Sequence, residues 1–275
     1  MSSSRFKECI LEIRCVAFAA VFLIAIASTG CGSRGAQPAV SSPVLPPTLP
    51  PAVKSAQPVL LYVGKGTSAT DVPAVEGILK SLNLGYSTAD ENQLDAMTEP
   101  VLGGYTLLIV PGGNSIVIGD NLSGNATTTI RNAVAQYGLH YLGICAGAFF
   151  GGYSIYNGVD LTSGVAFDFY NAEFQGIHIE AVEITTAVGG PLDVYWNDGP
   201  QLSGWGNVVA KYPDGTPAIT EGTSGNGFVI LTGVHLEAPA GWREGMTFTT
   251  PVSVDVAYAG TVIQAALQGT PLPHF

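Results

Sequence analysis

Tyr141-Leu-Gly-Ile-Cys145-Ala-Gly-Ala-Phe-Phe150 decides how the rest of the chain reads. Leu139 to Ile144 is a short apolar run of the kind that forms a buried strand. It ends in Gly143-Ile144-Cys145-Ala146-Gly147, followed by small and aromatic residues that can open a helix. This is the nucleophile-elbow pattern, with Cys in the place of Ser. Such a turn is sharp, and a side chain just before or after the nucleophile would collide with the neighbouring strand or helix. Cys145 is then expected at a strand-to-helix junction, a position suited to a reactive thiol. A buried structural Cys beside helix-packing glycines is the competing reading of the same five residues.

Upstream, strands and helices alternate. Val59–Val63 reads as a strand running into Gly64-Lys65-Gly66. From 71 to 82, Val72, Val75, Leu79 and Leu82 recur at helical spacing, with Thr70 or Asp71 as N-cap and Pro73 in the first turn. Leu84–Thr88 is a second strand, and Tyr105–Val110 is a buried one that ends in Pro111-Gly112-Gly113-Asn114. Ala126–Tyr137 is a helix closed by Gly138. This alternation predicts βαβ units and a parallel sheet, with functional residues at the carboxyl ends of the strands. Gly112-Gly113 and Cys145 both fall at such ends.

Residues 153–227 are less regular. Val165–Phe169, Ile179–Ile184, Asp193–Trp196 and Asn207–Lys211 read as short strands joined by Gly-rich turns, which predicts an antiparallel excursion from the main sheet. Phe228–Val234 returns as an apolar strand and runs into His235-Leu236-Glu237. A closing helix is expected after Thr250-Pro251, with Val254, Tyr258, Val262 and Ala265 on one face. Trp196, Trp205 and Trp242 suit either core or pocket.

A Cys nucleophile needs a base and a group that orients the base. The chain has four His. His274 is terminal, His140 lies within the elbow strand facing away from the turn, and His178 reads as part of an ordinary strand. His235 follows a buried strand, and in extended chain residues i and i+2 project to the same side. Glu237 can therefore orient His235 towards Cys145. The N–H of Ala146 and the Gly112-Gly113 loop are the candidate oxyanion donors. No spacing of Cys or His fits a zinc site, and neither a P-loop nor a dinucleotide fingerprint is present, so no metal and no cofactor are expected.

The formal charge of −11, with only 11% charged residues, disfavours nucleic acid and anionic lipid as partners. Residues 1–30 read as a secretory signal. Arg5, Lys7 and Arg14 precede the apolar run Val16–Ala27, which is too short to span a bilayer. Ser28-Thr-Gly-Cys31 resembles the bacterial lipoprotein signal, although Ser28 stands where that family usually carries Leu. The resemblance implies lipidation of Cys31 and a membrane anchor in the cell envelope; simple cleavage is the alternative. Residues 31–57 are Pro- and Ser-rich and read as a linker, leaving 58–275 as the folded domain.

Val110-Pro-Gly-Gly113, Gly143-Ile-Cys-Ala-Gly147 and Gly233-Val-His-Leu-Glu237 together resemble the class I glutamine amidotransferase-like superfamily. Tyr-Leu-Gly-Ile-Cys145-Ala-Gly-Ala is most similar to the biotin-protein-ligase N-terminal domain family within it. Val194-Tyr-Trp-Asn-Asp-Gly199 is similar to a Tyr-Asn-Gly turn of that family. The resemblance implies an α/β fold, a flavodoxin-like three-layer sandwich around a mostly parallel sheet, with a Cys145–His235–Glu237 triad. No synthetase or biotin-ligase catalytic domain is expected beside it. The expected activity is cleavage of an amide or related acyl bond in a small-molecule or peptide-like substrate. The alternatives are a ligand-binding domain without turnover and a glutaminase subunit that needs a partner.

Overall fold

The computed structural model describes residues 48–275, and Thr48–Phe275 forms one compact unit. The expected signal, Cys31 and residues 31–47 of the expected linker lie outside the described residues. The end of that linker lies against the domain edge: the Val53 and Ser55 N–H groups donate to the Pro100 and Gly104 carbonyls, at 2.8 and 3.1 Å.

β1 (Val59–Tyr62) leads through a loop into α1 (Asp71–Ser81), followed by β2 (Tyr86–Ala89) and two short helices, α2 (Glu91–Asp95) and α3 (Glu99–Leu102). Next come β3 (Leu107–Val110), α4 (Ser115–Asn121), α5 (Gly124–Tyr137), β4 (His140–Ile144) and α6 (Ala146–Gly151). The second half contains β5 (Asp168–Phe169), β6 (Ile179–Thr186), β7 (Gly190–Asn197), β8 (Pro200–Gln201), β9 (Asn207–Lys211), β10 (Pro217–Ser224) and β11 (Gly227–Thr232), and ends in α7 (Val252–Gln268). Local chemistry explains the boundaries. The Ser123 hydroxyl accepts from the Ala126 N–H and starts α5. Gly138 stops it in the left-handed region at φ 74°, where glycine carries no Cβ penalty.

Nine strands form one sheet in the order β2-β1-β3-β4-β11-β10-β9-β6-β7. β2, β1, β3, β4 and β11 run parallel, and every pairing from β11 through β10, β9 and β6 to β7 is antiparallel. The expected antiparallel excursion is thus a continuation of the same sheet. Each face carries its own core. On one face α1 and α7 bury Val75, Ile78, Val262 and Ile263; on the other, α5 and α6 bury Ala126, Ile130, Val134 and Phe150. This is the three-layer α/β arrangement, and it sends the carboxyl ends of β1, β3, β4 and β11 to one edge.

Two strands illustrate where the structure differs from expectation. The strand expected over 165–169 shrinks to β5, which pairs only with β8. The Val165 backbone is used locally instead, its carbonyl accepting from the Tyr153 N–H at 2.9 Å and from the Thr162 hydroxyl at 2.7 Å. β10 has a weak strand signal in sequence, because Pro217, Glu221 and Gly222 interrupt it, and Glu221 is fully buried. The Glu221 carboxylate accepts from the Leu272 N–H at 2.9 Å, a partner that only the folded C-terminal tail supplies.

Candidate active site

β4 delivers Cys145 at φ 48°, ψ −103°. Positive φ in a residue other than glycine costs about 1–3 kcal/mol and persists only where its surroundings over-determine it. Here the Cys145 N–H donates to the Thr232 carbonyl of β11 at 2.8 Å, while β3 and β11 pair with β4 on either side up to Gly143 and Ile144. The flanking glycines are sterically required. A Cβ on Gly147 would land on the Val110 carbonyl, and one on Gly143 would land on the Gly147 backbone. The Tyr141 hydroxyl donates to the Gly147 carbonyl at 2.7 Å from within the core and braces the turn. α6 is only six residues long, so what it offers at Cys145 is individual N–H groups, that of Ala146 first, rather than a long macrodipole.

The chain beyond β11 turns so that His235 pairs with Tyr195 of β7, the His235 N–H donating to the Tyr195 carbonyl at 2.9 Å. The imidazole is buried. Its Nδ1 lies 2.8 Å from Glu237 Oε1 and 3.1 Å from Asp71 Oδ1. One N–H cannot point at two oxygens equally well. The better-aligned bond goes to Glu237, and Asp71 Oδ1 takes the weaker, poorly aligned share of the same N–H. With Nδ1 so engaged, Nε2 is the nitrogen left for a partner in the cavity that His235 and Cys145 line together.

Burial alone would push the His235 pKa down; Glu237, Cys145 and Asp71 outweigh it and hold the imidazolium well above the usual histidine range. The two carboxylates part company. Burial drives Glu237 up, against the pull of His235, because its surroundings include Val75, Ile144 and Leu236. Burial also pushes Asp71 upwards, but hydrogen bonds and charge from His235, with help from Ser68, bring it below the ordinary aspartate value.

Cys145 and the His235-Leu236-Glu237 segment are thus brought together from two separate stretches of chain. Asp71 joins them although its position read only as the start of a helix. A signal was present: an acid at the carboxyl end of a parallel strand, on the edge where such folds place their sites. The two loop glycines divide. Gly113, at φ 145°, lines the cavity above Cys145 and keeps its backbone against Gly66 and Ser68. Gly112 has a packing reason of its own, since a Cβ there would strike Asp71 Oδ1 and come within 2.6 Å of His235 Cε1. His178 does not lie in a strand. It precedes β6 and sits between Glu173 and Asp198 at the cavity's rim. His140 binds the Ala266 carbonyl at 2.7 Å, away from the site.

The cavity holds about 290 Å³ and is lined by Cys145, His235, Asp71, Gly113, Tyr195, Trp242 and neighbours. β7 and the turn after it supply its wall: the Asn197 carbonyl accepts from the Cys145 thiol at 3.4 Å, and Asp198 follows at the mouth. Of the tryptophans, Trp196 is fully buried and Trp205 packs against the second core, leaving Trp242 at the cavity. Among the described residues two groups have metal-capable side chains, Asp71/His235/Glu237 and Glu173/His178/Asp198. In both, one imidazole nitrogen already stands at hydrogen-bond distance from two carboxylates.

The chain has an α/β fold similar to that of glutamine amidotransferases. A solved glutamine amidotransferase shares 19% identity with it over 66% of this chain and 90% of its own, with a TM-score of 0.51. PurLQS from Thermotoga maritima is 18% identical over 76% of this chain and 99% of its own, with a TM-score of 0.49. A glutamine amidotransferase from the same organism is 13% identical over 77% of this chain and 88% of its own, with a TM-score of 0.44. Identities of this size speak to the fold alone, and the first of the three carries that comparison. More particularly, residues 57–165 match the family described as biotin-protein ligase, N terminal. That match includes Asp71, Gly112-Gly113 and Cys145 but stops short of His235 and Glu237. No curated protein matches the chain.

Proposed function

We propose that this domain is a cysteine-dependent hydrolase of amide or related acyl bonds. The observation that carries the reading is the strained elbow at Cys145, which lines one cavity with a buried His235 whose Nδ1 is fixed by Glu237 at 2.8 Å. In this reading the thiol proton already resides on His235 in a thiolate–imidazolium pair, and Cys145 Sγ attacks the substrate carbonyl. The imidazolium then protonates the leaving amine, and water hydrolyses the resulting thioester with His235 as base. Glu237 and Asp71 keep the ring oriented and its positive charge matched. The N–H groups of Ala146 and Gly113 are the proposed donors to the tetrahedral oxyanion.

Two measurements test this. Iodoacetamide should alkylate Cys145 at pH 7 about tenfold more slowly once His235 is changed to Ala, because the thiolate loses its partner. Turnover in a panel of amide substrates should vanish in Cys145→Ala. Equal alkylation rates together with no turnover by the wild type would overturn the proposal.

A ligand-binding domain without turnover is the second reading, and it has an observation of its own: the thiol donates to the Asn197 carbonyl rather than lying open. In that case Cys145→Ala should keep ligand-induced thermal stabilisation unchanged. A glutaminase subunit requires ammonia release from glutamine. Export and lipidation at Cys31 belong to the proposal as well; radiolabelled palmitate incorporated into wild type but not into Cys31→Ser is the expected result.

A further inference from the structure

The cavity above Cys145 has a definite charge and surface chemistry. No Lys or Arg is among the residues that line it. Tyr195 and Trp242 form an aromatic corner, their ring centroids 5.4 Å apart and tilted by 56°. Trp242 is firmly placed, because the next residue, Arg243, is buried and donates to the Thr250 carbonyl at 2.8 Å while pairing with Asp255 at 3.3 Å. Asp198 lines the mouth. Beside it, His178 Nδ1 is 2.6 Å from Glu173 Oε2 and 3.0 Å from Asp198 Oδ1. Two carboxylates share one imidazole, so the rim keeps a net negative charge even when His178 is protonated. The Asn197 carbonyl adds an acceptor beside Cys145. Among the residues that line the cavity His235 alone can be a cation, and that charge is already matched by Asp71 and Glu237.

We propose that the pocket selects amides carrying a protonated amine or guanidinium near the scissile carbonyl, received by Tyr195 and Trp242 and balanced by Asp198. This rests on the reading of Cys145 as the nucleophile. A cation against aromatic faces is attracted by the ring quadrupole, and a carboxylate at the mouth adds Coulomb attraction that water only partly screens. The same rim disfavours a free carboxylate, so a zwitterion such as glutamine is opposed at one end while it is favoured at the other.

Charge selection can be read without turnover by using methanethiosulfonates that carry aminoethyl, methyl or sulfonatoethyl groups. Each forms a mixed disulfide with a thiolate and releases methanesulfinate. Modification of Cys145 is followed by peptide mass spectrometry of the full chain at pH 7.5, and every rate is divided by that of 2-mercaptoethanol. The normalised cationic rate should exceed the anionic one by about tenfold, falling as salt is added. Asp198→Asn and Trp242→Leu should each cut that ratio by about threefold. Asn suits the first change because it tolerates the φ of 45° at position 198. A ratio near one, or one unchanged in both variants while Cys145 still reacts, overturns the cation proposal and leaves the nucleophile standing. Failure of Cys145 to react with any of the three reagents removes the nucleophile, and this proposal with it.

Discussion

His178 and His235 each hold two carboxylates at Nδ1, yet they sit in opposite environments. The His235 side chain is 5% exposed and its acids, Glu237 and Asp71, are 2% and 6% exposed. The His178 side chain is 54% exposed, with Glu173 at 15% and Asp198 at 42%. The separations are nearly the same, 2.8 and 3.1 Å in one cluster against 2.6 and 3.0 Å in the other. What differs is the dielectric. In the buried cluster each charge depends on the others, since an unmatched ion there has no water to turn to. At the rim, water carries most of the load, and the carboxylates remain available to a ligand.

The comparison breaks most readily at the imidazoles themselves. His235→Ala should reduce turnover by about 10³-fold or more, as expected for loss of a general base acting with a nucleophile. His178→Ala should change it only a few-fold. Steady-state kinetics on one substrate for both variants decides the matter, and equal losses would mean that the two clusters are functionally alike.

The acids come next. Glu237→Gln should lower unfolding stability by about 3 kcal/mol, the scale for removing one partner of a buried charged pair. Glu173→Gln at the rim should leave the denaturation midpoint unchanged within error. Gly112→Ala sharpens the same contrast without touching a charge. Its Cβ would press on Asp71 and His235, and a displacement of that kind costs about 100-fold in rate while the fold persists. Circular dichroism measured beside kinetics separates the two effects.

Two pH effects are smaller. A histidine with a raised folded pKa contributes stability that is complete below its unfolded value, here 6.5, and is lost as pH rises through the folded value. Relative to His235→Gln, the wild type should therefore lose stability on going from pH 6.5 towards alkaline pH. His178 is shifted upwards too, by hydrogen bonds to Asp198 and Glu173, but its exposure screens the effect. At the rim, burial and then Glu173 push Asp198 up to about 6. As pH falls through that value Asp198 gains a proton, and His178 gains one in the same direction. The preference of Cys145 for cationic reagents should accordingly fade by pH 5.5, measured against the neutral reagent at each pH.

The sequence by itself determined whatever is decided within a few residues. The elbow at Cys145 is legible because a sharp strand-to-helix turn leaves no room for a Cβ at Gly143 or Gly147. The parallel strands are legible as short apolar runs, and Glu237 because alternation in extended chain puts it beside His235. Only the tertiary structure brought Asp71 to the same imidazole, since an acid at a helix start has an ordinary local explanation until the sheet order sets β1 and β11 on one edge. The same holds for Asn197, Asp198 and Trp242, which share a cavity with Cys145 because the antiparallel half of the sheet brings β7 against the chain after β11. Trp196 and Trp242 are the same residue type, and nothing local separates core from pocket. Steric and periodic rules act along the chain; burial and charge pairing act through space, after the chain has closed.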